Sequence, residues 1–291
     1  MNENIFTLPV TEQISPYLSQ RQLEALPVIV VSHPNVRAAI TLQGAHLIAW
    51  QPSGEQPVVW LSNNTPFEPG KAIRGGVPIC WPWFGPVGKP SHGFARNQPW
   101  QLTAHDEDDN GVILTFTLQD NEQTRELWPH EFTLIARFKL GKECEVELES
   151  HGNYQATAAL HTYFHIGDID TVKVSGLGEP YLDKVADGTE ANQHGDVTFV
   201  GQTDRVYTQP EPFSLIKDPT LQRTIEVHHH HMSDVIAWNP GEVLSCNMAD
   251  MPNNGYKTMV CVETGRINKP LVTCDAQPAR LAMTLRCRKG A

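Results

Sequence analysis

Hydrophobic positions along this chain recur with a period of two. Along Gly111–Gln119, Val112, Leu114, Phe116 and Leu118 alternate with Ile113, Thr115 and Thr117. Phe132, Leu134, Ala136, Phe138 and Leu140 repeat the pattern, and Cys144, Val146 and Leu148 alternate with Glu145, Glu147 and Glu149. Leu281, Met283, Leu285 and Cys287 do the same near the end, while Val28–Val31 and Val36–Leu42 are rich in branched residues. Successive strand side chains point to opposite faces, so an apolar/polar alternation predicts antiparallel sheets with one wet face. Gly141-Lys142-Glu143 has the size and glycine of a hairpin turn.

Two short helices interrupt this pattern. Ser15-Pro16 followed by YLSQRQLEAL and Pro27 reads as an N-cap, a first-turn proline and a stop. Asp120–Trp128 reads as a second helix halted before Pro129. No βαβ rhythm appears, nor any GxGxxG or GxxxxGK[ST] motif, which argues against a Rossmann fold or a phosphate loop. The expected fold is all-β: one large antiparallel β-sandwich domain over residues 1–291, with a few short helices.

Composition narrows the classes of partner. With 40% hydrophobic and 19% charged residues the chain can build a core and is not of disordered composition. The formal net charge of −11 speaks against nucleic acid. No apolar run reaches a membrane span, and the start, MNENIFTLPVTEQ, lacks the features of a secretory signal. The six cysteines are scattered without a CxxC pair, which argues against a disulfide framework or zinc ribbon. A cytoplasmic, monomeric protein with no membrane partner is the expectation.

Three stretches carry candidate chemistry. Ile73–Arg96, IRGGVPICWPWFGPVGKPSHGFAR, sets Arg74, Trp81, Trp83, Phe84, His92 and Arg96 among glycines and prolines. Such long, residue-specific loops are disproportionately functional. Its aromatics suit either a core or a sugar face, and its arginines suit either a solvated surface or an anion. In LHTYFHIGD, His161, Tyr163 and His165 would share one face of a strand, where a lone histidine is more often structural than catalytic. In MVCVETG, Glu263 follows a hydrophobic strand and precedes Thr-Gly, as a carboxylate at a sheet rim would. Asp204, in TDRVY, gives no signal alone. The run His228–His231 reads as a solvated strand end rather than a metal site.

Taken in order, IRGGVPICWPWFG, SHGFAR, LHTYFHIGD, TDRVY, WNPG and DMPNNGYKTMVCVETG closely resemble the hexose-6-phosphate mutarotases of the aldose 1-epimerase family, from about residue 30 to the C-terminus. The resemblance implies a galactose mutarotase-like sandwich and an isomerase that interconverts the α and β anomers of glucose 6-phosphate and similar sugars. It implies Glu263 as base and His161 as acid, with Arg74 and Arg96 on the phosphate and Asp204 and His92 on the sugar. A glutamine of the family is Ser91 here, a shorter side chain that would alter that contact. No metal or organic cofactor is implied. An epimerase of unphosphorylated sugars, a non-catalytic carbohydrate-binding sandwich stacking sugar on Trp81 and Trp83, and a histidine-rich metal enzyme are the rival readings.

Overall fold

The computed structural model describes residues 2–290 of the chain. The alternating segments become strands as expected. Gly111–Gln119, Phe132–Gly141, Glu143–Gly152 and Ala279–Lys289 lie side by side in an eight-stranded antiparallel sheet. The turn at 141–143 sets the register Leu140↔Cys144 through Phe132↔Gly152. That register puts Phe138, Val146 and Met283 on the buried face.

A second antiparallel sheet packs its apolar face on the first. Its order is Thr189–Asn192, Pro180–Asp183, Thr203–Tyr207, Asp234–Asn239, Met259–Thr273, Tyr154–Leu160 and Ile79–Cys80, with Tyr163–His165 pairing to the other end of Met259–Thr273. Val235, Ala237, Val260 and Val262 of this sheet join Phe116, Phe138, Leu148 and Leu285 of the first in one core. A five-stranded meander over Val10–Pro52 closes one end of that core with Ile29, Val31, Ile40 and Trp50. No helix of the described residues is long and apolar enough to cross a membrane.

The two expected helices fare differently. Glu122–Leu127 is helical, and Asn121 and Thr124 cap it reciprocally, each side chain accepting the other's backbone N–H. The segment after Pro16 is not a helix. Leu18–Leu23 is a strand running antiparallel to Leu26–His33, from Leu18↔Val31 to Leu23↔Leu26. Helix-favouring Leu, Gln and Glu carry only tenths of a kcal/mol each, and pairing with the branched strand outweighs them. Glu24 makes the reversal at φ 51°, and Pro27, the expected helix stop, is the second residue of the return strand, opposite Gln22.

On the outer face of the first sheet, Glu149 is only 4% exposed and meets two arginines and a histidine. Arg280 Nε and Nη2 lie 2.7 Å from its Oε2, Arg137 Nη1 3.3 Å from the same atom, and His151 Nε2 2.6 Å from Oε1. Burial works against the carboxylate, but the bonds from Arg137, His151 and Arg280 overcome it and hold the pKa at about 2. A depressed carboxyl stabilises fully above its unfolded value of 4.5 and loses that contribution as pH falls towards about 2. Glu149→Gln should therefore lower stability at neutral pH and flatten the loss between those limits. Urea midpoints measured across that range check it; an unchanged slope would place the acid sensitivity elsewhere.

Candidate active site

The second sheet has an outer face opposite the core, and strand register decides which side chains share it. Glu263 lies opposite Ile236, which lies opposite Val206; Cys261 lies opposite Trp238 and Tyr163, and Trp238 opposite Asp204. Directly paired residues of antiparallel strands project to the same side. One face thus gathers Asp204, Val206, Ile236, Trp238, Cys261, Glu263 and Tyr163. A cavity of about 590 Å³ opens over it.

Glu263 does not end a strand. It stands inside Met259–Thr273 and is 1% exposed. The following Thr264-Gly265 continues the strand, and a Cβ on Gly265 would sit 2.9 Å from Ile236 Cδ1. The glycine marks a close approach rather than a turn.

His161 sits in the break between Tyr154–Leu160 and Tyr163–His165. Its N–H donates to Pro78 O at 3.0 Å and that of Tyr163 to Gly76 O at 2.9 Å, so the glycine-rich stretch clamps this bend. Gly76 has φ 68°, and a Cβ there would meet Leu47 O at 2.4 Å. The imidazole stacks on Tyr163, with centroids 4.9 Å apart and planes within 8°. His161 Nδ1 lies 3.3 Å from Glu263 Oε1, yet neither Nδ1 nor Glu263 Oε2 has a hydrogen-bond partner. Burial pushes the Glu263 carboxyl well up, reinforced by the charge of Asp204 and opposed by Arg96. Burial pushes the His161 imidazole well down, reinforced by His92, Arg96 and Arg74.

His92 holds a left-handed backbone, φ 63°, and lines the cavity with its ring 5.5 Å from that of His161. It closes a loop on itself: its N–H donates to Gly85 O at 2.9 Å, and its Nδ1 accepts the Gly85 N–H at 3.3 Å. Burial, Arg96 and Arg74 push its pKa down to about 3. The neutral ring therefore carries its proton on Nε2.

The arginines are held differently. Arg74 lines the cavity with Nε 3.1 Å and Nη2 3.0 Å from Asp250 Oδ2, and Nη1 donating to Tyr163 Oη at 3.0 Å. Two of its five N–H groups stay open to a ligand. Arg96 follows Phe94-Ala95 in a short 3₁₀ turn. Its Nη2 donates to Ser91 O at 3.0 Å while its Nε is buried without a partner. Asp204 lines the cavity, and burial raises its carboxyl against the pull of Lys184. Ser91 is exposed, its hydroxyl 3.4 Å from Gly85 O.

Several sequence expectations shift. Trp81 is fully buried, packed edge-on against Phe94, Trp128, Phe132 and Tyr154, and has no face to offer a sugar. Phe84 and Trp238 supply the aromatic surface of the cavity instead. His165 lies two positions beyond Tyr163 on the same strand, opposite Met259, and does not line the cavity; its carbonyl accepts from the buried Arg223. The histidine run is not uniformly solvated: His229 is buried between Ser214 and Thr264 hydroxyls at 3.0 and 2.8 Å, while His228 pairs with Glu226. Lys184 carries no local signal in the sequence, and Asp250, although it opens the stretch DMPNNGYKTMVCVETG, is not marked there as a partner of Arg74; only the fold brings Lys184 to the cavity and Asp250 to Arg74.

Comparison with known proteins gives the family and the fold. The family model described as aldose 1-epimerase matches residues 27–279. A Salmonella typhimurium protein provisionally named glucose-6-phosphate 1-epimerase is 60% identical over 289 residues, covering 98% of each chain. An Escherichia coli protein of the same provisional name is 55% identical, covering 99% of this chain and 100% of its own. The crystal structure of a Salmonella typhimurium protein provisionally called a mutarotase superposes with a TM-score of 0.98 at 59% identity, over 99% of both chains.

Proposed function

The chain belongs to the aldose 1-epimerase family, and on that footing we propose that it interconverts the α and β anomers of glucose 6-phosphate, with Glu263 and His161 as its acid–base pair. One observation carries the assignment of the pair: two buried titratable groups, 3.3 Å apart in the wall of a cavity, whose Nδ1 and Oε2 atoms have no partner. Buried polar atoms are almost always satisfied, and these two orphans belong to residues that line the cavity, where a ligand can reach them.

The Glu263 carboxylate takes the proton from the C1 hydroxyl while protonated His161 gives one to the ring oxygen. The C1–O5 bond breaks, an open-chain aldehyde forms, and rotation about C1–C2 exposes its other face. Closure runs the transfers backwards: the C5 hydroxyl returns its proton to His161, and Glu263 protonates the C1 oxygen. Asp204 and the Nε2–H of His92 bind sugar hydroxyls, and Phe84 and Trp238 cover the apolar ring faces. Arg74 turns its two open N–H groups, with Arg96 nearby, towards the phosphate. Ser91, exposed and turned to Gly85, lends the sugar less than a longer side chain would.

Burial acts on both groups in the direction of the uncharged pair, Glu263 protonated and His161 neutral. The reactive pair, carboxylate plus imidazolium, contains the same number of protons and differs by one transfer across the gap. Activity therefore follows the one-proton state of the pair. That state gains a second proton as the lowered imidazole titrates and loses its last as the raised carboxyl titrates. With the pair inverted in this way, the acid limb of kcat/KM belongs to His161 and the alkaline limb to Glu263, the reverse of what free side chains would give. Asp204→Asn removes a charge that raises the carboxyl, so the alkaline limb should move down in pH while the acid limb stays.

Magnetisation-exchange NMR on equilibrated glucose 6-phosphate, across pH and after allowance for the phosphate's own ionisation near pH ~6, measures all of this. Anomer exchange no faster with protein than without would end the proposal. Acceleration of free glucose as great as that of glucose 6-phosphate would replace it with an epimerase of unphosphorylated sugars.

A further inference from the structure

Beneath the acid–base pair lies a residue the reaction does not use. Cys261 is fully buried, two positions before Glu263 on the same strand and the same face, and paired across to Tyr163. One ligand atom each from His161, Cys261 and Glu263 lie within 4.8 Å of one another. Imidazole nitrogen, sulfur and carboxylate oxygen are a donor set for Zn²⁺-like ions, whereas Mg²⁺ and Ca²⁺ require more oxygens.

We propose that His161, Cys261 and Glu263 form a capture site for a soft divalent cation of the Zn²⁺ class, and that the captured ion switches the site off. Ion–ligand bonds of roughly 2.0–2.3 Å in a tetrahedron put the ligand atoms about 3.3–3.8 Å apart. His161 Nδ1 and Glu263 Oε1, at 3.3 Å, already stand at that separation. With the three ligand atoms within 4.8 Å of one another, the sulfur has to close by up to about 1–1.5 Å, shared between side-chain rotation and small shifts of its neighbours. The Nδ1 atom, which has no partner within the protein, gains one, and His161 and Glu263 connect the ion to the wall of the cavity. On capture the Cys261 S–H bond breaks, its proton leaves to water and a sulfur–metal bond forms; Glu263 binds as carboxylate and His161 through its Nδ1 lone pair. Neither acid–base group can then exchange a proton with a sugar. The consequence for turnover rests on the proposed epimerase activity; the binding of the ion does not.

Co²⁺ serves as the spectroscopic probe and Zn²⁺ as the inhibitor. Cys246 and Cys274 are exposed and could bind either ion weakly, so the experiment uses a Cys246→Ser/Cys274→Ser background. Co²⁺ added to that protein should give a near-ultraviolet thiolate-to-cobalt charge-transfer band, and glucose 6-phosphate should erase it by competition. Cys261→Ser and Cys261→Ala should abolish the band. Zn²⁺ should suppress anomer exchange reversibly, with EDTA restoring it. Relative to each variant's own metal-free rate, the Cys261 variants should need at least about tenfold more Zn²⁺. Absence of the band in the background protein, which needs no Cys261 variant to fold, would overturn the site, as would Zn²⁺ inhibition unchanged by both variants. If the metal-free protein catalyses nothing, the functional reading fails and the cobalt band alone decides the cation site.

Discussion

Glu263→Gln should slow glucose 6-phosphate anomerisation by about 10²–10⁴-fold, the usual worth of a general acid–base group, while leaving the fold intact. Glutamine keeps the shape of the side chain, and the surroundings already favour its uncharged form. Removing an ionisable carboxyl from a site that is 1% exposed removes a desolvation cost, so the melting temperature should hold or rise. His161→Asn should cost a similar factor in rate, with some stability lost as the stacking on Tyr163 goes. The two groups act as one proton-transfer unit, so the double variant should be little slower than the worse single one. Exchange rates and thermal melts on the three variants test this together. Either single variant turning over near the wild-type rate would move the chemistry to other residues, and a collapse of the melt would make the rate loss structural.

That a carboxylate and a histidine 102 positions apart in the chain meet at 3.3 Å is not something local pattern can give. Alternation located the strands because burial of one face imposes it residue by residue, as in Cys144–Leu148. It could not say which outer face is roofed over, because that depends on register between strands distant in sequence: Asp204 against Trp238, Ile236 against Glu263. Glycine misled in one place for a physical reason. Thr264-Gly265 has the composition of a strand end, but Gly265 is there to let Ile236 approach. The aromatic-rich loop was legible as a site, though not in its parts. Trp81 and Phe84 have similar sequence surroundings, and only packing sends one to the core and the other to the cavity. Asp250, 176 positions from Arg74, becomes its counter-ion through tertiary structure alone.

Arg74→Ala should lower kcat/KM for glucose 6-phosphate by about ten- to a hundred-fold, the worth of a charge-assisted hydrogen bond of roughly 1.5–3 kcal/mol. Arg96→Ala should fall in the same range, and the comparison with free glucose reveals why. A lost phosphate contact cannot hurt a substrate that has no phosphate. Arg74 also donates to Tyr163, whose ring stacks on His161, so its removal can loosen the imidazole for both sugars. Asp250→Asn separates the two effects. It weakens the ion pair that anchors Arg74 but keeps the guanidinium and its bond to Tyr163, so activity on free glucose should hold. Lysine at position 74 should recover only part of the loss, because a point charge cannot serve Asp250, Tyr163 and phosphate from one planar fork. Raised salt should weaken the phosphorylated substrate more than glucose in the wild type, and less so in either alanine variant. The decisive quantity is the ratio of kcat/KM for the two sugars in each protein. A ratio unchanged by both alanine substitutions would mean that Arg74 and Arg96 brace the Tyr163 and Ser91 segments, and that phosphate is recognised by other residues of the cavity.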